Sequence, residues 1–225
     1  MFEYDLHIEK SNRKSISLTV DIEGTIYVKA PNFLQDDEIN DYILTKQRWL
    51  KKTINELSGR KEQRDKYLIQ YGNKILFKGK EYILTKNNDS FSATQLKENR
   101  IYSSVENDYY LELDISEFMQ YEARNYYYKY ARKFSVEIGV QFKELKVSSA
   151  RKRWGSCSAG KNINLNWRLI MAPEEVIQSV IKHELCHLKE LNHSGSFWEL
   201  LNTHSPNYKN CDKWLKDHSF ILTLY

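Results

Sequence analysis

The stretch HELCHLKELNH, residues 183–193, constrains the fold of this chain more than any other segment. Its first two histidines, His183 and His187, are four positions apart, so on an α-helix they lie on one face and can direct imidazole nitrogens at a shared point. Zinc would lie about 2.0 to 2.1 Å from each of these nitrogens. Glu184 projects to one side, where it can reach a water activated by the metal and act as a general base. The pattern predicts a catalytic metal site on a helix.

The third histidine of the stretch, His193, requires that helix to end. It comes ten residues after His183, about 15 Å further along a continuous helix and too far away to share a metal. We expect Asn192 to end the helix in a left-handed conformation, and an S-x-x-E capping box at 196–199 to start a new one. Three histidines leave one tetrahedral position for water, which is the pattern of a catalytic zinc, whereas a structural zinc normally has four protein ligands.

Two less specific interpretations of the motif have to be weighed. HExxH arises by chance in on the order of one chain in a hundred of this composition, and isolated histidines on an amphipathic helix can simply be solvated. The third histidine, placed after a predicted helix end, favours the metal site over both. Cys186 is expected to pack beneath the helix rather than bind metal, because its side chain points away from the two histidines.

The amino-terminal half alternates short β-type runs with one helix. SISLTV (15–20) and TIYVKA (25–30) alternate apolar and polar residues around a turn at Gly24, which predicts a β-hairpin. Apolar residues spaced by three and four predict a helix over 36–57, and SGRKEQRDK (58–66) has the composition of a solvated linker. Further strands are predicted at 67–71, 74–79, 81–86, 100–105 and 109–114.

A change of pattern near residue 115 indicates a second domain. A helical stripe over 116–138, closed by Gly139, predicts a long helix. The stripe consists of Phe118, Tyr121, Tyr128, Ala131, Phe134 and Ile138. The predicted fold class is therefore α+β, with a β-rich region over 1–115 and the motif-bearing domain over 116–225.

Two strands and a basic loop precede the motif helix. The strands are predicted at 142–149 and 162–170, the loop ARKRWGSCSAG occupies 150–160, and Pro173 suits the start of the helix. The loop is either an electropositive lip that contacts substrate or a tryptophan-anchored turn with solvated charges. The second strand either offers its edge to an extended peptide or is a core strand. The candidate substrate contacts are Arg153, Trp154, Asn164 and Asn166.

Composition narrows the class of protein. A net charge of +4 from 34 basic and 30 acidic residues indicates a mixed surface and does not by itself indicate a nucleic-acid partner. Cys157, Cys186 and Cys211 form no CxxC pair, which predicts free thiols in a reducing compartment. No segment has the pattern of a secretion signal or the ~20 apolar residues of a membrane span, so we expect a cytoplasmic protein without a membrane partner.

From about residue 121 to 215 the chain resembles the YgjP-like metallopeptidases, a family of metal-dependent hydrolases related to the SprT-like and WLM zinc peptidases. The resemblance rests on RKRWGSCSAGKNINLNWRLIMAPEEVIQSVIKHELCHLKELNHSGSFWELL. The hairpin with KAPNF is also similar, whereas residues 58–115 match less distinctly. The resemblance implies a minimal zincin fold, in which a small sheet packs on the HExxH helix. It assigns metal binding to His183, His187 and His193, and catalysis to Glu184.

The predicted function is that of a zinc-dependent metallopeptidase, with another divalent metal possible in place of zinc and a peptide or protein as substrate. One alternative is a nucleic-acid-associated, SprT-like protease module acting on DNA-bound proteins, for which Arg151, Lys152 and Arg153 would supply positive charge. A further alternative is a structural zinc domain without activity. The physiological substrate, the native metal and the oligomeric state stay open at this stage.

Overall fold

The computed structural model describes residues 5–21, 23–88, 93–150 and 153–224. The chain divides into two compact units, Met1–Lys66 and Tyr67–Tyr225. Helices and strands are both abundant, which confirms the predicted α+β class. The boundary predicted near residue 115 does not coincide with this division, because that residue lies inside a continuous helix of the second unit. Within the described ranges, no helix combines the length and the apolar character needed to cross a membrane.

The first unit contains a three-stranded sheet with the order β1–β3–β2. Its strands are β1 (Leu6–Ser11), β2 (Ser17–Val20) and β3 (Ile26–Pro31). β2 and β3 form the predicted hairpin, with Leu18 opposite Val28 and Gly24 at a φ of 89° in the turn. β1 lies parallel to β3 and was not among the predicted strands. Leu6 and Ile8 are its only apolar residues, and its central four residues are all exposed.

Two helices, α1 (Asp36–Thr45) and α2 (Gln47–Tyr67), complete the first unit, whose last residue, Lys66, is one before the end of α2. Their apolar faces share one core with the sheet, formed by Ile26, Val28, Ala30, Ile39, Ile43 and Leu50. Residues 58–66, predicted to be a linker, belong to α2 instead. Their Arg, Lys, Glu and Gln side chains are good helix formers, so a solvated composition is compatible with a water-facing helix. Arg64 contacts Glu23 at 3.1 Å, a surface ion pair of the kind that adds little stability.

The second unit begins with a four-stranded sheet of order β4–β5–β7–β6. Its strands are β4 (Lys74–Phe77), β5 (Lys80–Lys86), β6 (Gln95–Lys97) and β7 (Arg100–Ser103). The strands predicted at 67–71 and 109–114 are absent from the described structure. The second of these segments is helical, because Asn107 accepts a hydrogen bond from the Tyr109 amide and caps a helix there.

That helix, α3 (Asp108–Ile138), is the longest element and forms the centre of the second unit. It ends at Gly139, which has a φ of 71°, as the sequence predicts. Ala131, Phe134 and Ile138 are buried as expected. Tyr121 and Tyr128 are exposed, because the buried stripe passes instead through a set of residues offset from them. That set comprises Leu111, Ile115, Met119, Ala123, Tyr126 and Tyr127.

A third sheet and three helices complete the second unit. The strands β8 (Glu144–Ser148), β9 (Gly155–Cys157) and β10 (Asn162–Asn166) have the order β8–β10–β9. The strand predicted to run to residue 170 ends at Asn166, whose side chain accepts from the Arg168 amide and starts a 3₁₀ helix over Trp167–Met171. The helices that follow are α4 (Glu174–Cys186), α5 (Gly195–His204) and α6 (Tyr208–Leu222).

Candidate active site

α4 holds the HExxH motif in a fixed position because one face of this helix is anchored in the core. Ile177, Ile181 and Leu185 recur every four residues and are fully buried. Two of the motif residues, His183 and Glu184, line a cleft of about 330 Å³. A rigid helix therefore presents an imidazole and a carboxylate side by side at the wall of an opening.

The structure brings the three predicted metal-binding histidines together. His183, His187 and His193 each offer a ring nitrogen, and these atoms all lie within 4.8 Å of one another. The Nε2 atoms of His183 and His193 are 3.0 Å apart. Two nitrogens bound to one tetrahedral zinc at 2.0 to 2.1 Å are separated by about 3.3 Å. The three imidazoles therefore fit a single divalent ion.

The chain reversal that brings in His193 occurs earlier than predicted. α4 ends at Cys186 and not at Asn192, since the amides of Lys189 and Glu190 both return to the Cys186 carbonyl at 3.0 Å. The prediction of a left-handed stop at Asn192 is wrong. Among the described residues, the non-glycine residues with a positive φ are Lys78, Glu98 and Lys161, so Asn192 does not adopt the left-handed conformation.

The next helix also starts earlier than predicted. α5 begins at Gly195, and its cap is Ser194, whose hydroxyl accepts from the Phe197 amide at 3.3 Å. The capping box predicted at 196–199 is therefore wrong in detail, because Ser194 takes that role and Ser196 lies inside the first turn. The predicted helix end and the predicted start of a new helix both exist. Each lies a few residues closer to the amino terminus than the sequence analysis placed it.

Contacts with neighbouring residues orient the rings of the three histidines. The Glu190 carbonyl lies 2.9 Å from Nδ1 of His187. A carbonyl can only accept, so Nδ1 donates the proton and Nε2 keeps a lone pair for a metal. Phe197 is fully buried and packs against all three imidazoles at centroid distances of 4.5 to 4.9 Å. Trp198 is partly exposed and stacks on His193 at 5.3 Å.

Burial shifts the pKa values of the motif residues in opposite senses. Burial, followed by the neighbouring histidines, lowers the pKa of His183 to about 4, so its imidazole is neutral, the form that binds metal. Burial raises the pKa of Glu184 to about 8, and the positive charge of Arg153 opposes that rise. A divalent ion beside Glu184 would favour its ionised form in the same way.

Gly155 in β9 touches Glu184 and was not singled out from the sequence. A Cβ at this position would lie 2.5 Å from Oε1 of Glu184, 2.7 Å from its Cγ and 2.8 Å from its Cδ. Only a residue without a side chain leaves this space to the carboxylate. A glycine inside a strand often marks such a close approach, and this was the signal in WGSC that could have identified it.

The four candidate substrate contacts occupy different environments. Arg153 is exposed near Glu184, and Trp154 lines the cleft. Asn164 is half-buried, with its amide 3.5 Å from the Ser156 hydroxyl of the neighbouring strand. Arg151 and Lys152, the other basic residues of the loop, lie outside the described residues.

Asn166 does not fit the predicted contact with substrate. It is 2 % exposed, its amide donates to the Ala150 carbonyl at 2.6 Å, and its carbonyl accepts from the Arg168 amide. β10, the strand that carries it, is the central strand of its sheet and cannot add a peptide at its edge. The edge strand on the cleft side is β9, which borders the opening through Gly155.

Cys186 packs under α4, in agreement with expectation. The side chain is fully buried, and burial raises the pKa of its thiol to about 11. A neutral thiol in the core is a poor metal ligand. Within the described part of the chain, the only group of three or more side chains close enough to hold a metal ion consists of His183, His187 and His193.

In this α+β fold one helix carries HExxH, and the turn after that helix places a third histidine beside the first two. This is the arrangement of a metal-dependent peptidase. A family model described as "YgjP-like, metallopeptidase domain" matches residues 14–218, and the chain belongs to this family. The match spans both units and includes residues 58–115, where the resemblance by motif was less distinct. Membership implies a divalent metal and a peptide or protein substrate. No curated protein and no solved structure matches the chain.

Proposed function

We propose that the protein is a zinc-dependent peptidase in which His183, His187 and His193 hold the metal and Glu184 is the general base. This proposal is carried by the convergence of three imidazole nitrogens within 4.8 Å, with the buried carboxylate of Glu184 next to one of them, His183, in the wall of the cleft. Zinc, when bound, would supply Lewis acidity, lowering the pKa of a water and polarising the scissile carbonyl.

Glu184 moves the proton in this mechanism. Its carboxylate takes a proton from the attacking water and returns it to the leaving amine. Burial favours the protonated form that follows the first transfer, and the Arg153 charge and the metal favour the ionised form that precedes it. Gly155 leaves the carboxylate room beside β9, and Phe197 keeps water away from the back of the three imidazoles.

The test is hydrolysis of an unstructured protein by the zinc-loaded chain and by the Glu184→Gln variant. Removing a general base typically lowers kcat by 10²- to 10⁴-fold. We expect a loss of about that size with unchanged zinc content, because Glu184 is not one of the ligands. Equal rates for the two proteins would rule out the mechanism.

A structural zinc domain without activity is less well supported. Such a site normally has four protein ligands, whereas the described residues cluster three histidines. Chelation separates the two cases, since a structural zinc contributes directly to folding. We expect zinc removal to abolish hydrolysis while the second unit still melts cooperatively, and unfolding of that unit on chelation would favour the structural role.

A second function, association with nucleic acid, is favoured by one surface. A groove of about 1010 Å³ at the carboxyl end of α3 is lined by Arg132, Lys143, Lys161 and Lys189, and its described lining includes no acidic residue. Tyr128 and Phe142 line the same groove and offer aromatic rings. Cations interleaved with aromatic rings suit a single strand, which binds through phosphate contacts and base stacking.

Salt dependence tests this second function. Each phosphate contact to a single strand contributes about 0.7 to the slope of log K against log salt. We expect replacement of Arg132, Lys143 and Lys161 by alanine to reduce the slope by about 2. Alanine at Lys52, Lys213 and Lys216, three lysines that pair with acidic residues of their own helices and do not line the groove, is the matched control. Absence of binding at low salt would eliminate the function.

A further inference from the structure

The cleft beside His183 and Glu184 continues away from the other two histidines, between α4, α5 and α6. Most of its wall is apolar. The apolar and aromatic lining residues are Trp154, Val180, Trp198, Leu201, Tyr208 and Leu215. An opening that starts at a catalytic carboxylate and runs into apolar surface is placed to receive a substrate side chain.

The floor of the cleft is apolar in character. Leu201 and Leu215 line it yet are at most 5 % exposed, so they form its bottom and not its rim. The polar groups on the floor are engaged within the protein. The Ser205 hydroxyl donates to Ser179 at 3.0 Å, and the Cys211 thiol points to the Glu175 carbonyl at 3.9 Å. An apolar occupant would therefore displace water without breaking these bonds.

The charges near the cleft are also partly compensated. Asp212 forms an ion pair with Lys216 at 2.6 Å, and the Lys209 ammonium lies over the Tyr208 ring at 5.9 Å. Apart from the proposed base Glu184, the described lining contains one carboxylate, Asp212, which is paired with Lys216, and one ammonium, Lys209. The inner part of the cleft therefore has no strong preference for a charged side chain.

One wall is held in place by ring stacking. Trp198 lies between His193 and Tyr208, with centroid distances of 5.3 and 5.4 Å and interplanar angles of 30° and 21°. The stack joins the apolar wall directly to one of the proposed ligands. A side chain packed against Trp198 would therefore be placed at a fixed distance from the metal position.

We infer that this cleft binds the side chain of the substrate residue next to the scissile bond, and that it selects large apolar side chains such as leucine, methionine and phenylalanine. The inference rests on the proposed peptidase function and adds the class of bond cleaved. Burying such a side chain, compared with alanine, is expected to raise kcat/KM by about 10- to 100-fold.

The experiment uses peptides that are identical except at one residue flanking the cleaved bond, with the cleaved bond located by mass spectrometry. Leu215→Phe adds volume at the floor, and Leu200→Phe is the matched control, because Leu200 packs on the core without lining the cleft. We expect Leu215→Phe to reduce the preference for phenylalanine over alanine to under about threefold, and Leu200→Phe to leave it unchanged. Val180→Leu narrows the opposite wall and replaces Leu215→Phe if that variant fails to fold.

A binding measurement distinguishes failure of this inference from failure of the proposed function. N-acetyl-phenylalanine amide and its alanine and aspartate counterparts are titrated into the Glu184→Gln protein, and the indole N–H signals of the five tryptophans are followed by NMR. We expect the phenylalanine amide alone to shift the signals of Trp154 and Trp198. If peptides are never hydrolysed but these shifts occur, the cleft binds as inferred and the peptidase proposal is wrong. Equal rates for all peptides, a preference for charged residues, or a preference untouched by the cleft variants would overturn the inference.

Discussion

Replacing Gly155 by alanine separates the positioning of Glu184 from metal binding. The new Cβ would lie 2.5 Å from Oε1 of Glu184 and less than 3 Å from its Cγ and Cδ. Gly155 lies opposite Leu165 in the β9–β10 ladder, so the strand cannot retreat without losing ladder hydrogen bonds. Because Gly155 does not have a positive φ, alanine adds no backbone strain. The carboxylate is the group that must move.

The expected loss is large in rate and modest in stability. A displacement of about 1 Å of a catalytic group can cost about 10²-fold, and complete loss of a general base costs 10²- to 10⁴-fold. We expect kcat to fall at least about 10²-fold, equivalent to about 2.7 kcal/mol in the activation barrier. Overpacking of this kind lowers the free energy of unfolding by about 1 to 3 kcal/mol.

The assay combines kcat on a cleaved peptide, zinc affinity by competition with a chromogenic chelator, and the melting temperature. We expect Gly155→Ala to bind zinc as tightly as the parent protein, since the three atoms nearest the new methyl group all belong to Glu184, which is not one of the proposed ligands. Gly160→Ala, in the turn between β9 and β10, is the matched control. Its Cβ would lie 3.6 Å or more from any neighbour, in ordinary contact, so its kcat should not change.

A double variant tests whether the clash itself is the cause. Glu184→Asp shortens the side chain by one methylene and withdraws it from the position of the added Cβ. The combined effect of Gly155→Ala and Glu184→Asp should then be smaller than the sum of the two single effects. Activity of Gly155→Ala within about threefold of the parent protein, or strict additivity in the double variant, would refute the reasoning.

Three further predictions concern a proposed metal ligand, the buried Asn166 and two glycines of the helices. His193→Ala should weaken zinc binding by more than about 100-fold in a chelator competition with little change in melting temperature, because this imidazole is exposed. Asn166→Ala should lower the free energy of unfolding by about 1 to 3 kcal/mol in urea, since it breaks the bonds to Ala150 and Arg168, while leaving KM unchanged. Gly139→Ala should destabilise the protein by about 1 to 2 kcal/mol at its φ of 71°, whereas Gly59→Ala, in open space on α2, should stabilise it by about 0.5 to 1 kcal/mol.

The sequence predicts those parts of the structure that depend on local geometry. The spacing of His183 and His187 places both on one helical face, because a helix repeats every 3.6 residues whatever surrounds it. Gly139 ends α3 and Gly24 turns the hairpin, because both positions require a positive φ. The end of α4 was predicted to exist and was misplaced, since Cys186 and Asn192 are both compatible with a reversal before His193.

The secondary-structure predictions were wrong mainly where contacts between distant parts of the chain decide the conformation. The tyrosine-rich segment 109–114 has β propensity, yet the Asn107 cap and the burial of Leu111 make it the start of α3. Residues 58–66 were predicted to be a linker because they are highly charged, although most of them have high helix propensity. β10 was expected to offer an edge, but the order of strands in a sheet depends on partners elsewhere in the chain.

The proposed metal binding and the positioning of the proposed base depend on different parts of the chain. All three proposed ligands lie within residues 183–193, so a helix and one reversal suffice to assemble them. The space around Glu184 is set by β9, almost thirty residues earlier, through a contact that no local pattern encodes. Changes in β9 should therefore impair catalysis while zinc binding persists, and changes within 183–193 should impair both. Because Gly155 of β9 also lines the apolar cleft, the same strand would couple the fit of a substrate side chain to the position of the proposed base.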